Sequence, residues 1–324
     1  MTILEVINKT TPYFEKQGVD SPRLTIELLL AHLLKKKRLQ LYLEFERELD
    51  EKTLAALREM VKRRAAGEPV QYITGEAEFC GLKLMVDKRV LIPRPETELL
   101  VETVLERMRD EGGGRRAEDE GGRPADDRGP RAEAESGKGK RRPQAETPAP
   151  PSENLKVVDV GTGSGCIAIA LAKKLPDAEI TAIDVSPQAL EVARGNAALH
   201  HVEKNTRFLE SDLLDNLDSS FRADVIVSNP PYIADGEIVE LPKEVRDFEP
   251  VKALQAGEDG LKVIRRLVTS TRRLLSPSGF IALEIGAGQR AAVEDIFREQ
   301  GYEVVEVVKD LQGHERVIVA RPGK

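Results

Sequence analysis

Four consecutive residues, Asn229-Pro230-Pro231-Tyr232, carry the most specific chemistry in this sequence. Two prolines in a row fix the backbone and remove two donors, leaving the carbonyls of Asn229 and Pro230 free to accept. Asn229 adds a side-chain acceptor, and Tyr232 adds a flat face on which a planar group can pack. Such a frame suits a planar NH₂, whose two hydrogens need two rigidly placed acceptors. An amide nitrogen is a poor nucleophile because its lone pair is delocalised into the carbonyl. Acceptors placed out of the amide plane would favour a pyramidal nitrogen and aim its lone pair at an electrophile such as a sulfonium methyl. Positioning and directed electrostatics then do most of the work, without a strong general base.

A second set lies upstream. Val157-Val158-Asp159-Val160 reads as a buried strand that runs into Gly161-Thr162-Gly163-Ser164-Gly165 and then into an apolar helix from Cys166. Strand, glycine turn and helix form a nucleotide-binding arrangement, in which glycines let the backbone approach a ligand. The spacing is G-x-G-x-G, and Cys166 occupies the third glycine position of a dinucleotide fingerprint, which lowers the nicotinamide reading. No phosphate-binding lysine follows the turn, so it is not a P-loop. Asp184 ends the next strand, where a carboxylate can accept hydrogen bonds from both ribose hydroxyls. Ser211-Asp212-Leu213 ends the third and suits an adenine pocket, Asp212 for the exocyclic amine and Leu213 for the ring face. The plainer alternative for Asp212 is a helix cap.

The elements that must position these sets follow from periodicity. Strands are expected at 155–160, 179–183, 206–210, 223–228, 279–285, 302–308 and 316–321, with helices near 164–174, 187–199, 257–275 and 288–299. This alternation predicts an α/β, Rossmann-like, mostly parallel seven-stranded sheet within 154–324, its last two strands forming an antiparallel edge pair. Residues 1–67 read as a small helical bundle, with starts at Thr2, Ser21-Pro22 and Asp50 and a stop at Gly67-Glu68-Pro69. Residues 68–92 read as an extended hairpin connector: Gln71–Gly75 and Leu82–Val86 alternate about a turn at Phe79-Cys80-Gly81. A helix opened by Pro93–Glu98, running from Leu99 to about Met108, fills 93–109. Residues 110–153 contain no Val, Ile, Leu, Met, Phe, Tyr or Trp. Too little apolar surface is available there to offset ordering entropy, so the stretch is expected to be a disordered insertion.

Composition excludes several classes. The chain of 324 residues is 40% apolar and carries a net charge of −7. No apolar run reaches the length of a bilayer span, and Met1–Asp20 lacks the pattern of a secretion signal. A monomeric cytosolic protein is the expectation. Cys80 and Cys166 form no C-x-x-C pair, and the four histidines show no metal-ligand spacing, so no metal is expected. Residues 154–324 hold 21 basic and 27 acidic side chains, and residues 1–80 hold 13 of each. That balance offers no basic groove for nucleic acid.

Three further segments complete the pattern: Gly67-Glu-Pro-Val-Gln-Tyr-Ile-Thr-Gly75, Leu91-Ile-Pro-Arg-Pro-Glu-Thr-Glu98 and Asp310-Leu-Gln-Gly-His-Glu-Arg316. With the glycine turn, Asp184 and Ser228-Asn-Pro-Pro-Tyr-Ile233, the chain resembles the PrmC/HemK family throughout, except across 110–153. The resemblance implies a class I methyltransferase fold, S-adenosyl-L-methionine as cofactor, and a protein substrate. That substrate is the peptide chain release factor, methylated on the side-chain amide nitrogen of the glutamine in its Gly-Gly-Gln motif. It also implies that Gly161, Thr162, Gly163, Ser164, Gly165, Asp184, Leu213 and Asn229 contact the cofactor, beside Asp212 as read above from the third strand end. Asn229, Pro230, Pro231 and Tyr232 would hold the glutamine, with Asn229, Pro230 and Tyr232 acting in catalysis. The N-terminal helices would dock the release factor, and Glu96, Thr97 and Glu98 would shape the pocket rim. Two other readings stay open: an N6-adenine methyltransferase acting on RNA or DNA, since the same loop serves an exocyclic amine, and a non-catalytic ribosome or release-factor binding module.

Overall fold

A computed structural model describes residues 1–119 and 155–323. The N-terminal helices are α1 (Ile3–Lys16), α2 (Pro22–Leu34), α3 (Arg38–Tyr42) and α4 (Glu51–Ala65). Thr2 closes a capping box with Glu5, and Asp50 caps α4 through the Thr53 amide. Pro22 opens α2 at its first position, although Ser21 makes no side-chain cap. Apolar faces of these helices enclose their own core around Ile3, Ile7, Phe14, Ile26, Leu29, Leu30 and Leu41.

The connector departs from the expected hairpin in its first half. Val70–Thr74 is one helical turn, α5, followed by the antiparallel pair β1 (Glu76–Phe79) and β2 (Leu82–Met85). Over five residues, alternation cannot be told from a single helical turn that buries Tyr72 and Ile73. The helix is set by Pro69 before it, by the Thr74 hydroxyl donating back to Val70 O at 3.0 Å, and by Gly75 in the left-handed region after it. The Asn196 side chain staples this hairpin to the rest of the molecule: its Oδ1 accepts from Met85 N and its Nδ2 donates to Met85 O and Ser164 O.

The next helix, α6 (Pro95–Asp119), is longer than the expected Leu99–Met108. The first ten residues of the stretch read as disordered, 110–119, are therefore helical. A helix already nucleated gains a backbone hydrogen bond with each residue added, and no proline follows before Pro124. Residues 120–153 of the expected insertion lie outside the described residues.

The remaining chain alternates as expected: β3 (Lys156–Val160), α7 (Cys166–Lys174), β4 (Glu179–Asp184), α8 (Pro187–Leu199), β5 (Thr206–Glu210) and β6 (Ala223–Ser228) come first. A segment containing the short α9 (Lys243–Phe248) then leads to α10 (Lys262–Thr271), β7 (Leu275–Glu284), α11 (Arg290–Glu299), β8 (Tyr302–Lys309) and β9 (Glu315–Pro322). Short 3₁₀ turns at Asp235–Glu240 and Val251–Ala253 flank α9; none of these three was legible as a helix in the sequence. Strand order is β5-β4-β3-β6-β7-β9-β8, parallel from β5 to β7. β8 and β9 form the expected antiparallel edge pair, and within it β9 is the strand that runs against the others, between β7 and β8. Both faces of the sheet are covered, one by a core with Val157, Ile169, Leu171, Val225 and Phe280, the other by a core with Val158, Ile226, Leu267, Ile281 and Phe297. β3 and β6 lie side by side at the centre, so their carboxyl ends bring the glycine turn and Asn229 together.

Candidate active site

The glycine turn is built from beneath. Asp159 is fully buried, and its Oδ2 accepts from the Thr162 hydroxyl at 2.6 Å and from Ala168 N at 3.1 Å, tying the turn to the start of α7. Burial pushes the Asp159 carboxyl up to about 7, against the pull of those two donors. From the side, the amides of Gly161 and Thr162 both donate to Ile183 O at 2.8 Å.

The three glycines serve different ends. A side chain at Gly165 would meet Ile169 Cδ1 at 2.9 Å and Ala193 Cβ at 3.1 Å, so glycine there permits close helix packing. Gly161 and Gly163 instead have φ of +74° and +54°; a Cβ at Gly161 would meet nothing within 4 Å, and one at Gly163 only Gly161 O at 4.0 Å. That open cradle fits a bulky ligand lying against the backbone. Buried polar atoms without partners, the Ser164 hydroxyl and Asp159 Oδ1, lie around it.

Asp184 stands at the tip of β4 beside the cradle. Its Oδ2 accepts from Gly163 N and its Oδ1 from Ser186 N, both at 2.8 Å. Each oxygen keeps a further lone pair, so the carboxylate is aimed by the backbone and can still accept from hydroxyls. Burial raises the Asp184 carboxyl above its ordinary value, countered by those amides. Ser211 N donates to Asp184 O at 3.0 Å, which places Asp212 and Leu213 at the next strand end. Leu213 is half-buried with φ +52°, an unfavourable conformation for a residue with a side chain. The Asp212 carboxylate pairs with Arg266 at 2.9 Å, and both side chains are about half exposed. Asp212 therefore already has a cationic partner of its own.

The Asn229–Tyr232 loop is held at four points. The Ser228 hydroxyl donates to Val160 O at 2.6 Å, locking the ends of β6 and β3 together. The Asn229 Nδ2 donates to the Thr97 hydroxyl at 3.0 Å. Gln289 Nε2 donates to Tyr232 O at 2.9 Å, while its Oε1 accepts from Gly286 N. Ile233 bridges in parallel to Gln255 through Ile233 N to Leu254 O and Ala256 N to Ile233 O. Pro230 is buried, and Asn229, Pro231 and Tyr232 are half-buried.

Glu284 was not singled out by the sequence reading. It ends β7 at 1% exposure, and its Oε1 lies 3.4 Å from the Tyr232 hydroxyl. Burial pushes its carboxyl up to about 7, while the Thr97 hydroxyl and Arg316 favour the charged form. Burial and the nearby Glu284 charge in turn push the Tyr232 phenol up to about 12. One signal was available: Phe280-Ile-Ala-Leu-Glu-Ile285 sets a carboxylate inside an apolar run at the end of a parallel strand. Arg316 belongs to the Asp310–Arg316 segment, which proves to be a tight turn. Asp310 Oδ1 accepts from Gln312 N and His314 N, its Oδ2 accepts from Arg316, and Arg316 Nη1 donates to Ile285 O. Of the expected rim residues, Thr97 is buried and reaches Asn229, whereas Glu98 points away to accept from Cys80 N at 2.7 Å.

Comparison with known proteins adds identity to this geometry. The family described as PrmC N-terminal domain matches residues 5–75, and the methyltransferase small domain matches residues 147–243. A release factor glutamine methyltransferase from Rhodopirellula baltica is 37% identical over 98% of this chain and 95% of its own length. Proteins of the same name from Chlorobaculum tepidum (39% identical, 95% of this chain and 93% of the relative) and Koribacter versatilis (38%, 99% of each) match as fully. Among solved structures, the hMettl16 catalytic domain in complex with the MAT2A 3′UTR hairpin 6 covers 85% of this chain and 83% of its own, with a TM-score of 0.50 and 14% identity. That likeness concerns the fold alone, and with the seven-stranded sheet it fits the class I methyltransferase architecture expected from the sequence.

Proposed function

This chain belongs to the release factor glutamine methyltransferase family, and from that premise we propose that it methylates the side-chain amide nitrogen of the glutamine in the Gly-Gly-Gln motif of peptide chain release factors. The observation that carries the reading is the rigid Asn229–Tyr232 loop set beside the glycine cradle by the Ser228–Val160 bond. S-adenosyl-L-methionine is the methyl donor, and it supplies an activated methyl on a sulfonium. The residues present fit it: Gly161–Gly165 leave an open backbone cradle, and Asp184 offers acceptors for the ribose hydroxyls. Leu213 would pack on the adenine. Asp212 could reach the exocyclic amine only by sharing its carboxylate with Arg266.

Catalysis on this reading is a matter of placement. Asn229 Oδ1 and the carbonyl of Pro230 accept the two hydrogens of the target NH₂. Pro231 keeps the loop stiff, and Tyr232 packs on the amide plane. With its hydrogens held, the nitrogen is oriented with its lone pair toward the methyl. The proton leaves after transfer, so no strong base is needed.

The substrate is a protein, and the helical unit at 1–67 is its docking element on this proposal. The connector 68–92 and the helix from Pro95 lead from that unit toward the catalytic unit 154–324. The enzyme would act as a monomer in the cytosol, where release factors work. No helix among the described residues is long and apolar enough to cross a membrane. Incubation with labelled cofactor and either a release factor or its glutamine-to-alanine variant tests the assignment. Label on the unaltered factor alone is expected; equal label on both would refute it.

A further inference from the structure

Tyr232 is met at three places by one short stretch of chain, residues 284–289, which runs from the end of β7 toward α11. Its hydroxyl lies 3.4 Å from Glu284 Oε1. Its ring edge lies over Gly286, where a Cβ would come within 3.2 Å of Tyr232 Cδ2. Its carbonyl accepts from Gln289 Nε2 at 2.9 Å. This last contact is the most constrained. A glutamine carboxamide can be turned two ways, and each end of this one has a partner that settles the choice. Gly286 N can only donate, so it takes Oε1, at 2.9 Å. Tyr232 O can only accept, so it takes Nε2. The backbone amide of Gln289 also donates to Gly286 O at 3.1 Å, so the turn that carries the side chain is itself closed. Gly260 leaves room for the pair, since a Cβ there would fall 2.9 Å from Nε2 and 2.5 Å from Tyr232 O.

We propose that Gln289 is a positioning residue for methyl transfer: it pins the Tyr232 carbonyl and so sets the plane of the ring on which the target amide packs. A carbonyl oxygen lies in its peptide plane, so pinning it fixes the backbone torsion at Tyr232. The contacts at Gly286 and Glu284 then limit the side-chain torsions. With backbone and ring both held, the ring stands at one angle to the acceptors of Asn229 and Pro230. That angle matters because a flat amide must reach both acceptors and the methyl at once, and a small misplacement of reacting groups is costly in rate. Gln289 touches no substrate in this account; it acts through Tyr232.

The inference rests on the nitrogen-methylation reading above. Its test is single-turnover methyl transfer from labelled cofactor to a release factor, together with cofactor affinity. The enzymes compared are the wild type, Gln289→Glu, Gln289→Leu, Tyr232→Leu and the double variant Gln289→Glu with Tyr232→Leu. Gln289→Glu keeps the shape and still accepts from Gly286 N, but sets an oxygen against the Tyr232 carbonyl. Its rate should fall about tenfold, the scale of one lost and one opposed hydrogen bond, with cofactor affinity unchanged because the glycine cradle is untouched. Gln289→Leu, which loses both bonds without adding a charge, should also be slowed with affinity held. In the Tyr232→Leu background the ring is already gone, so Gln289→Glu should cost little more, the non-additivity expected of residues that act through one contact. Retained cofactor affinity shows that each variant is folded. Wild-type rates in both Gln289 variants, equal losses of rate and cofactor affinity, or the full cost of Gln289→Glu repeated in the Tyr232→Leu background would each overturn the assignment. If a factor lacking the glutamine were labelled equally, the target would be wrong, yet the same comparisons would still report whether Gln289 acts through Tyr232.

Discussion

At the residue scale, the proposed reading gives Asn229 two duties with one side chain: its NH₂ donates to Thr97, and its oxygen is left for the substrate amide. Asn229→Ala should therefore abolish transfer while cofactor affinity, measured by calorimetry, is retained; undiminished turnover would remove Asn229 from the mechanism. Asp184 differs, because it both aims the glycine turn and offers acceptors to the ligand. Asp184→Ala should weaken cofactor binding by about 1.5–3 kcal/mol, the scale of lost charge-assisted hydrogen bonds. Unchanged affinity would exclude it from the site. The positions of both residues were legible in the sequence because each lies at the end of a parallel strand, Asp184 closing β4 and Asn229 following β6. Glu284 and Gln289 were not singled out, since each acts across a distance in sequence that only the sheet closes: Glu284 meets Tyr232 from β7, and Gln289 reaches the Tyr232 carbonyl from beyond it.

At the element scale, the reacting loop is stiff partly because Gly260 lies directly under it. A Cβ at Gly260 would sit 2.5 Å from Tyr232 O and 2.9 Å from Gln289 Nε2, at a φ of +72°. Gly260→Ala should displace the loop, lowering the transfer rate and the unfolding free energy read from urea titration, the latter by about 1–3 kcal/mol for the strained backbone alone. A variant with wild-type rate and stability would show that the loop is not held from below. Element starts were well marked in the sequence where a cap or proline fixes them, as at Thr2, Pro22, Asp50 and Pro187. Lengths were less legible. The single turn Val70–Thr74 resembled a strand, and the helix from Pro95 continued into a stretch whose composition argued for disorder. Composition weighs burial, whereas a helix already anchored by Leu100, Val101 and Val104 extends without a new nucleation step.

At the scale of the whole molecule, the helical bundle is fastened to the catalytic unit beside the reacting loop. Buried Arg64 on α4 pairs with Glu244 on α9 at 2.6 Å, and donates to Glu68 O. Arg94 pairs with buried Glu249, which also accepts from Ile92 N. If the helical bundle docks the release factor as proposed, Arg64→Met should raise the KM for the factor more than it changes cofactor affinity, because it loosens the bundle and not the cradle. Equal loss in both would assign the pair to general stability. Such long-range pairs could not be read from sequence, where Arg64 and Glu244 look like ordinary surface charges. Buried acids also set a pH dependence. Burial brings Asp159 up to about 7, above the ordinary range of an unfolded aspartate. Between those two values the folded state binds more protons than the unfolded one, so this group's contribution to stability falls as pH rises. The difference in unfolding free energy between wild type and Asp159→Asn should accordingly shrink from about pH 5 to about pH 8. A gap that does not vary with pH would contradict the buried protonated state.

The central claim is that the Asn229–Tyr232 loop presents a glutamine side-chain nitrogen to the methyl donor. Tandem mass spectrometry of a release factor after incubation with the cofactor and either the wild-type or the Asn229→Ala enzyme addresses it most directly. A single methyl group on the glutamine amide of the Gly-Gly-Gln motif is expected with the wild type, and none with the variant. A methyl group on any other residue, or the same methyl delivered by Asn229→Ala, would contradict it.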